Sequence, residues 1–164
     1  MKRHDSMRGY FAYELHQQME KDDRIWTLTG DLGFGMLDSL RDDFPDRFVN
    51  CGAAEFTMMG MAVGMSYEGK IPFVYSITPF LLARPYEMIR NYVDRENLPV
   101  KLVGSGRDYD YAHDGFSHQA TDARAILNNF PNIEQFWPES KEEIPDIVRQ
   151  MVKSDRPQFI SLRR

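Results

Sequence analysis

The sequence predicts an α/β fold in three layers: one mainly parallel sheet of about six strands with helices on both faces. Three observations carry this. Short apolar runs alternate with longer helix-like segments along the whole chain, as successive βαβ units require. No repeat, low-complexity segment or linker interrupts the alternation. A length of 164 residues suits a single domain, here expected to span 1–164, that buries its own core.

Residues 8 to 22 suit a first helix, with Tyr10, Phe11, Leu15 and Met19 on one face. A short strand at 24–29 leads into the loop Gly30-Asp31-Leu32-Gly33-Phe34-Gly35 and a brief helix through Leu37 and Leu40. The second strand, 48–50, precedes a helix over 56–67. A third strand at 71–75 is followed by a helix over roughly 80 to 93. The fourth strand, 100–104, opens a loop that runs to about residue 120. A helix at 121–129, a strand at 133–137, a helix at 141–153 and a strand at 158–162 complete the pattern. Right-handed crossovers place the segments 30–35, 51–55, 76–80 and 104–119 on one rim, outside the carboxyl ends of the strands, where such sheets bind ligands.

Composition narrows the function. The formal net charge is −5 and the Lys and Arg residues are scattered, which argues against a general nucleic-acid binder. The single Cys51 rules out an internal disulfide and offers no zinc cluster. No apolar run reaches the length of a membrane span, and residues 1–6 lack the apolar core of a signal peptide. A cytoplasmic protein is the expectation. Ten Met and eleven Phe suit core and interface packing, since Met fills irregular gaps and Phe adds buried area.

The most informative stretch is 50–62, Asn-Cys-Gly-Ala-Ala-Glu-Phe-Thr-Met-Met-Gly-Met-Ala. It puts one carboxylate, Glu55, where a buried strand meets an apolar helix rich in small residues. A carboxyl group in such a place is poorly solvated and inclined to hold or share a proton, which suits acid/base chemistry. The plainer alternative is a first-turn Glu favoured by the helix dipole. The loop 104–119 carries His113, Asp114 and His118 together with Tyr109 and Tyr111; it reads either as a functional loop or as a solvated surface. The spacing of His113, Asp114 and His118 matches no strong zinc pattern, so no metal site is expected on this chain. The loop 30–35 has no GxGxxG, and no GxxxxGK[ST] occurs. The aromatics Tyr75 and Phe80, at a strand end and helix start, could stack on a flat heterocycle or simply fill the core.

Taken in order, these segments resemble the pyrimidine-binding domain of transketolases and of the related deoxyxylulose-phosphate synthases. The matching runs are Gly30-Asp31-Leu32-Gly33, then Arg47-Phe48-Val49-Asn50-Cys51-Gly52-Ala53-Ala54-Glu55 with Met58-Met59-Gly60-Met61-Ala62-Val63-Gly64, similar to the family's RF-N-GIAEQ-M-GMAAG stretch. Gly69 to Ser76, Asn97 to Gly104, Asp114-Gly115-Phe116-Ser117-His118-Gln119 and Asp155 to Arg163 follow in the family's order.

The resemblance implies thiamine diphosphate as cofactor. Glu55 would be the catalytic glutamate that hydrogen-bonds N1′ of the aminopyrimidine. Phe80, with Tyr75 as second choice, would stack on that ring, and Asp31 would line the same cleft. His118 and Asp114, with His113 nearby, would meet the hydroxyls or reacting carbonyl of a sugar-phosphate substrate, His118 with a catalytic part. Three departures concern the substrate: Phe56 after the glutamate, Phe116 in the loop motif, and the bulky run Arg107-Asp108-Tyr109-Asp110-Tyr111.

The family's diphosphate-binding domain carries a GDG motif, absent from this sequence, and the family also has a C-terminal domain that this sequence does not contain. The resemblance therefore implies a split enzyme. A separate subunit would hold the diphosphate and Mg²⁺ or Ca²⁺, and the chains would form a dimer of heterodimers with the 56–67 helix at an interface. Two-carbon ketol transfer is the leading activity. A thiamine-diphosphate-dependent decarboxylase or synthase, and a non-catalytic regulatory or assembly subunit, are the alternatives.

Overall fold

The computed structural model describes residues 3–164, so the first two residues of the expected 1–164 domain lie outside the described residues. The elements run α1 (Met7–Met19), β1 (Ile25–Thr29), α2 (Asp38–Asp43), β2 (Phe48–Asn50), α3 (Glu55–Tyr67), β3 (Ile71–Ile77), α4 (Thr78–Ala83), α5 (Tyr86–Met88), β4 (Lys101–Ser105), α6 (Ala123–Leu127), β5 (Glu134–Phe136), α7 (Ile144–Lys153) and β6 (Gln158–Leu162). The six strands lie in the order β2-β1-β3-β4-β6-β5, and every pairing is parallel. The predicted α/β architecture is the one observed.

Side chains alternate across a strand, and this sorts the core into two clusters. On one face Leu28, Val74, Leu102 and Phe159 pack with Met58, Met59, Leu81 and Leu127, under α3, α4 and α6. On the other, Ile25, Phe73, Tyr75, Val103 and Ile160 pack with Phe11, Leu15, Leu40 and Val148, under α1, α2 and α7. The chain therefore leaves β1 for one layer and leaves the adjacent β3 for the other. Where neighbouring strands diverge in this way, a crevice opens outside their carboxyl ends.

Two local expectations are revised. The helix expected over 80–93 is broken: α4 ends at Ala83, α5 covers three residues, and Ile89–Asp94 winds as a π-helix. Pro85 is the cause, because it has no N–H to continue the ladder and its ring crowds the carbonyl four residues back. The third strand, expected to end at 75, also runs on into the segment 76–80. β3 extends to Ile77 and α4 begins at Thr78, with Pro79 in its first turn, where a missing N–H does no harm.

One polar residue inside the sheet has a structural task. Lys101, at the start of β4, is fully buried. Its Nζ donates to the carbonyls of Ser154 (2.8 Å) and Arg156 (2.7 Å) and to Gln158 Oε1 (3.0 Å), tying the α7–β6 turn to the neighbouring strand. Burial pushes its pKa from the ordinary 10.5 down to about 7. Between those values the unfolded chain holds a proton that the folded chain has released, which leaves Nζ two N–H donors for its three acceptors, and stability rises with pH across that window. Denaturant midpoints measured at intervals from about pH 7 to 9, below the range where the half-buried Cys51 and the buried Tyr75 act in the opposite sense, should climb more steeply for the native chain than for Lys101→Met.

Candidate functional site

The crevice between β1 and β3 is built by the chain that crosses it. Cys51 N–H donates to Thr29 O (2.9 Å), continuing the register of β2 along β1. Asn50 then acts as a latch. Its Oδ1 accepts from the N–H groups of Asp31 and Gly52, both at 3.0 Å, and its Nδ2 donates to Asp31 Oδ1 at 3.1 Å. Asp31 (φ 58°) and Gly52 (φ 67°) both take left-handed backbone, a conformation open to Gly and tolerated by Asp. These two turns carry the chain over β1 and deliver Glu55 into the crevice as the first residue of α3.

Glu55 is 2% exposed. Its Oε1 accepts from Ser76 Oγ (3.1 Å) at the end of β3, and its Oε2 from the Arg84 guanidinium (2.6 Å) just past α4. On its third side stands Gly30, where a Cβ would lie 3.3 Å from both Glu55 Oε1 and Ser76 Oγ. A buried carboxylate is costly unless it is hydrogen-bonded and charge-paired, and here it is both. Glu55 does sit in a helix first turn, but it faces inward into a made-to-fit polar setting. A residue placed there only for the helix dipole would not require that setting.

The site extends outward from Arg84. The Arg84 guanidinium carbon lies 3.9 Å above the Phe80 ring, and Phe80 meets His118 edge-on at 4.8 Å. Three residues singled out in the sequence, Glu55, Phe80 and His118, thus form one continuous array with Arg84 between them. Asp31 is exposed on the same rim, next to Gly30. Tyr75 is not in the array. It is 1% exposed and packs in the opposite layer, stacked on Phe11 at 6.3 Å. Strand alternation points Ser76 at Glu55 and therefore turns Tyr75 away, so its ring cannot stack on a ligand in this crevice.

His113 and Asp114 stand outside this array. His113 Nε2 lies 3.2 Å from Asp114 Oδ2 and 2.9 Å from Arg164 of the C-terminus, and neither side chain hydrogen-bonds to Glu55 or His118. Among the described residues, no group of three or more His, Cys, Asp or Glu is placed to hold a metal ion. Gly30, Ser76 and Arg84 were not anticipated. Gly30 carried a faint signal as the first glycine of a strand-end loop; the other two became recognisable only through their contacts.

The loop that bears His118 is anchored at its base. Arg107, 2% exposed, donates to Ser161 Oγ (3.0 Å), Ser161 O (2.9 Å), Pro138 O (2.8 Å) and Glu139 Oε1 (3.0 Å). Its own N–H is held by Asp110 Oδ2 (2.9 Å), and Ala120 N–H donates to Asp108 O (2.8 Å), closing the neck. Within the loop, Ala112–Asp114 and Phe116–His118 form 3₁₀ turns, so the stretch expected to be unstructured is folded. Chemically, the array offers a buried hydrogen-bonding carboxyl, an aromatic face and an imidazole at one rim. That set suits the polar edge and flat face of an aromatic heterocycle.

Residues 5–164 match the family model described as transketolase, pyrimidine binding domain. A putative transketolase C-terminal section of Methanocaldococcus jannaschii is 31% identical over 159 residues, covering 96% of this chain and 50% of that protein. The 6-deoxy-6-sulfo-D-fructose transketolase subunit SqwH of a Clostridium species is 30% identical, covering 96% and 49% respectively. Among solved structures, one described as a split gene transketolase, inactive beta4 tetramer, superposes with a TM-score of 0.83 at 30% identity, covering 98% of this chain and 52% of that one. The chain thus spans about half the length of the curated relatives it matches.

The anchoring of the loop gives a direct expectation. Arg107→Met leaves the Pro138 and Ser161 carbonyls without their donor, and should cost roughly 3 kcal/mol of stability in denaturant titrations. Hydrogen exchange should speed up at the amides of 108–120 before the rest of the sheet is affected.

Proposed function

The chain belongs to the transketolase pyrimidine-binding domain family, and from that premise we propose that it is the pyrimidine-side subunit of a split, thiamine-diphosphate-dependent transketolase-like enzyme. The reaction is transfer of a two-carbon ketol unit between sugar phosphates. The diphosphate group and its Mg²⁺ or Ca²⁺ are held by a separate subunit. The observation that carries this reading is the Glu55 carboxyl, buried at the divergence of β1 and β3 and within one array with Phe80 and His118.

The residues present fit the aminopyrimidine end of the cofactor. Gly30 leaves room beside a buried carboxyl, and the half-buried Phe80 offers a ring face at the same rim. When bound, thiamine diphosphate supplies the carbanion chemistry for breaking and remaking a carbon–carbon bond next to a carbonyl, while the protein positions and polarises it. Glu55 would hydrogen-bond the ring nitrogen of the aminopyrimidine, and Ser76 would fix its orientation. His118 faces the substrate beyond Phe80. Asp114, His113 and Asp31 form the wider rim of the cleft, where substrate hydroxyls are read. The split transketolase subunit among the relatives supports ketol transfer. The intact array of Glu55, Phe80 and His118 favours a catalytic subunit over a purely structural one.

Self-association is part of the proposal, and α3 is the surface for it. Phe56 (50% exposed), Met61 (38%) and Tyr67 (56%) stand on its outer side, and nothing lies within 4 Å of a Cβ built at Gly64. An apolar helix face with bare backbone allows another helix to approach closely. The related split-gene structure is described as an inactive beta4 tetramer, which supports self-association; a dimer of heterodimers with the separate subunit is the proposed assembly. No helix of the described residues is long and apolar enough to cross a membrane; the cytoplasm is the proposed location.

Two measurements test this. In the complex recovered by co-purification with the diphosphate-binding subunit, Glu55→Gln should lower ketol transfer from a ketose phosphate by about 10²–10⁴-fold, the usual weight of a positioned acid/base group. Unchanged turnover in that variant would remove the catalytic assignment. Met61→Glu should shift the chain to a smaller species in light scattering, with circular dichroism unaltered.

A further inference from the structure

Arg84 occupies an unusual position. Its NH1 lies 2.6 Å from Glu55 Oε2, and its guanidinium carbon lies 3.9 Å above the centre of the Phe80 ring. Those are the two contacts that a bound aminopyrimidine requires: a donor-and-acceptor edge against the carboxyl, and a flat face against the aromatic ring. A guanidinium is itself planar, cationic and rich in N–H donors, and it stacks on aromatic faces. At 3.9 Å it covers the face of Phe80, so a second ring cannot lie on that face while Arg84 does.

From this we infer that Arg84 is the residue that controls admission of the heterocycle: it is a built-in stand-in for the aminopyrimidine and must be displaced for the ring to enter. The inference rests on the cofactor reading given above. The local architecture permits the exchange. Arg84 follows the end of α4 and precedes Pro85, where the helix breaks, and 43% of its side chain is exposed, so its guanidinium can leave for water. Ser76 stays behind as the second partner of Glu55, so the carboxyl keeps its orientation during the change. Affinity for the heterocycle is then set by a difference: the ring's interactions with Glu55 and Phe80, less those the guanidinium gives up. Removing the guanidinium leaves the buried carboxyl short of a partner until a ring arrives, and tightens binding.

The test uses the full chain and the probe 4-amino-5-hydroxymethyl-2-methylpyrimidine, followed by NMR. With native protein, the amides of Gly30 and Ser76 should shift saturably as probe is added, while the Arg84 side-chain N–H signals move towards those of a solvent-exposed arginine. Arg84→Met should bind the probe about tenfold tighter, the scale of one lost cation–π and ion-pair contact. Arg84→Lys, which retains the charge but lacks the planar fork, should fall between the two. Glu55→Gln should weaken binding in both the native and the Arg84→Met backgrounds. If native chain binds but Arg84→Met and Arg84→Lys bind no more tightly, the stand-in role is overturned and the cofactor reading survives. If no variant shows a saturable shift at Gly30 and Ser76, the cofactor reading fails and the inference falls with it.

Discussion

A single carboxyl group kept out of water organises this molecule. Glu55 can be buried only because the surrounding strands and helices agree on its setting: β1 leads into a residue with no side chain, β3 presents a hydroxyl, and the break after α4 releases an arginine beside it. A charged group in that position is unfavourable by itself, so Glu55 depends on Gly30 and Ser76 throughout and on Arg84 until a ring takes its place. The left-handed turns at Asp31 and Gly52, and the Asn50 latch between them, bring the chain across β1 at the right height. Local backbone, packing and chemistry therefore share one cause.

The two ends of the sheet are built differently, and the difference follows from what each must do. At the amino end of β4, Lys101 is fully enclosed and commits its donors to fixed oxygens, which makes that edge a permanent seam. At the carboxyl end, Arg107 fastens the base of a loop whose tip stays in solvent, with Phe116 86% exposed and Tyr109 66% exposed. Rigid footing with an open tip lets a side chain such as His118 be held in place while the surface around it remains free to meet a ligand or another chain.

The layers and strands were legible because fully buried parallel strands leave a strong hydrophobic signal and the crossovers have one hand. The rim was legible for the same reason: once the strand ends are known, so is the edge they share. Glu55 stood out through its small, apolar neighbours, and the shared rim followed from segments that lie after strands, whereas the choice of Phe80 and His118 came from the family resemblance. What stayed hidden depends on orientation. The parity of β3 decides that Ser76 and not Tyr75 faces the crevice, and an added or missing residue in the strand would reverse it. Arg84 was hidden because a Pro-induced break, invisible to a helical period over 80–93, sets where its side chain emerges. His113 and Asp114 were grouped with His118 by proximity in the chain, whereas His113 is paired with Asp114 and Arg164 and neither hydrogen-bonds to His118.

The neck closed between Asp108 and Ala120 has an evolutionary corollary. A segment that starts and finishes at one short backbone pairing, with its root bolted by Arg107, is modular: its exposed tip residues can be lengthened, shortened or exchanged while His118 and the sheet beneath keep their places. Such a chain can diversify its clientele by rewriting one detachable insert, and grafts from distant cousins would find a ready socket there.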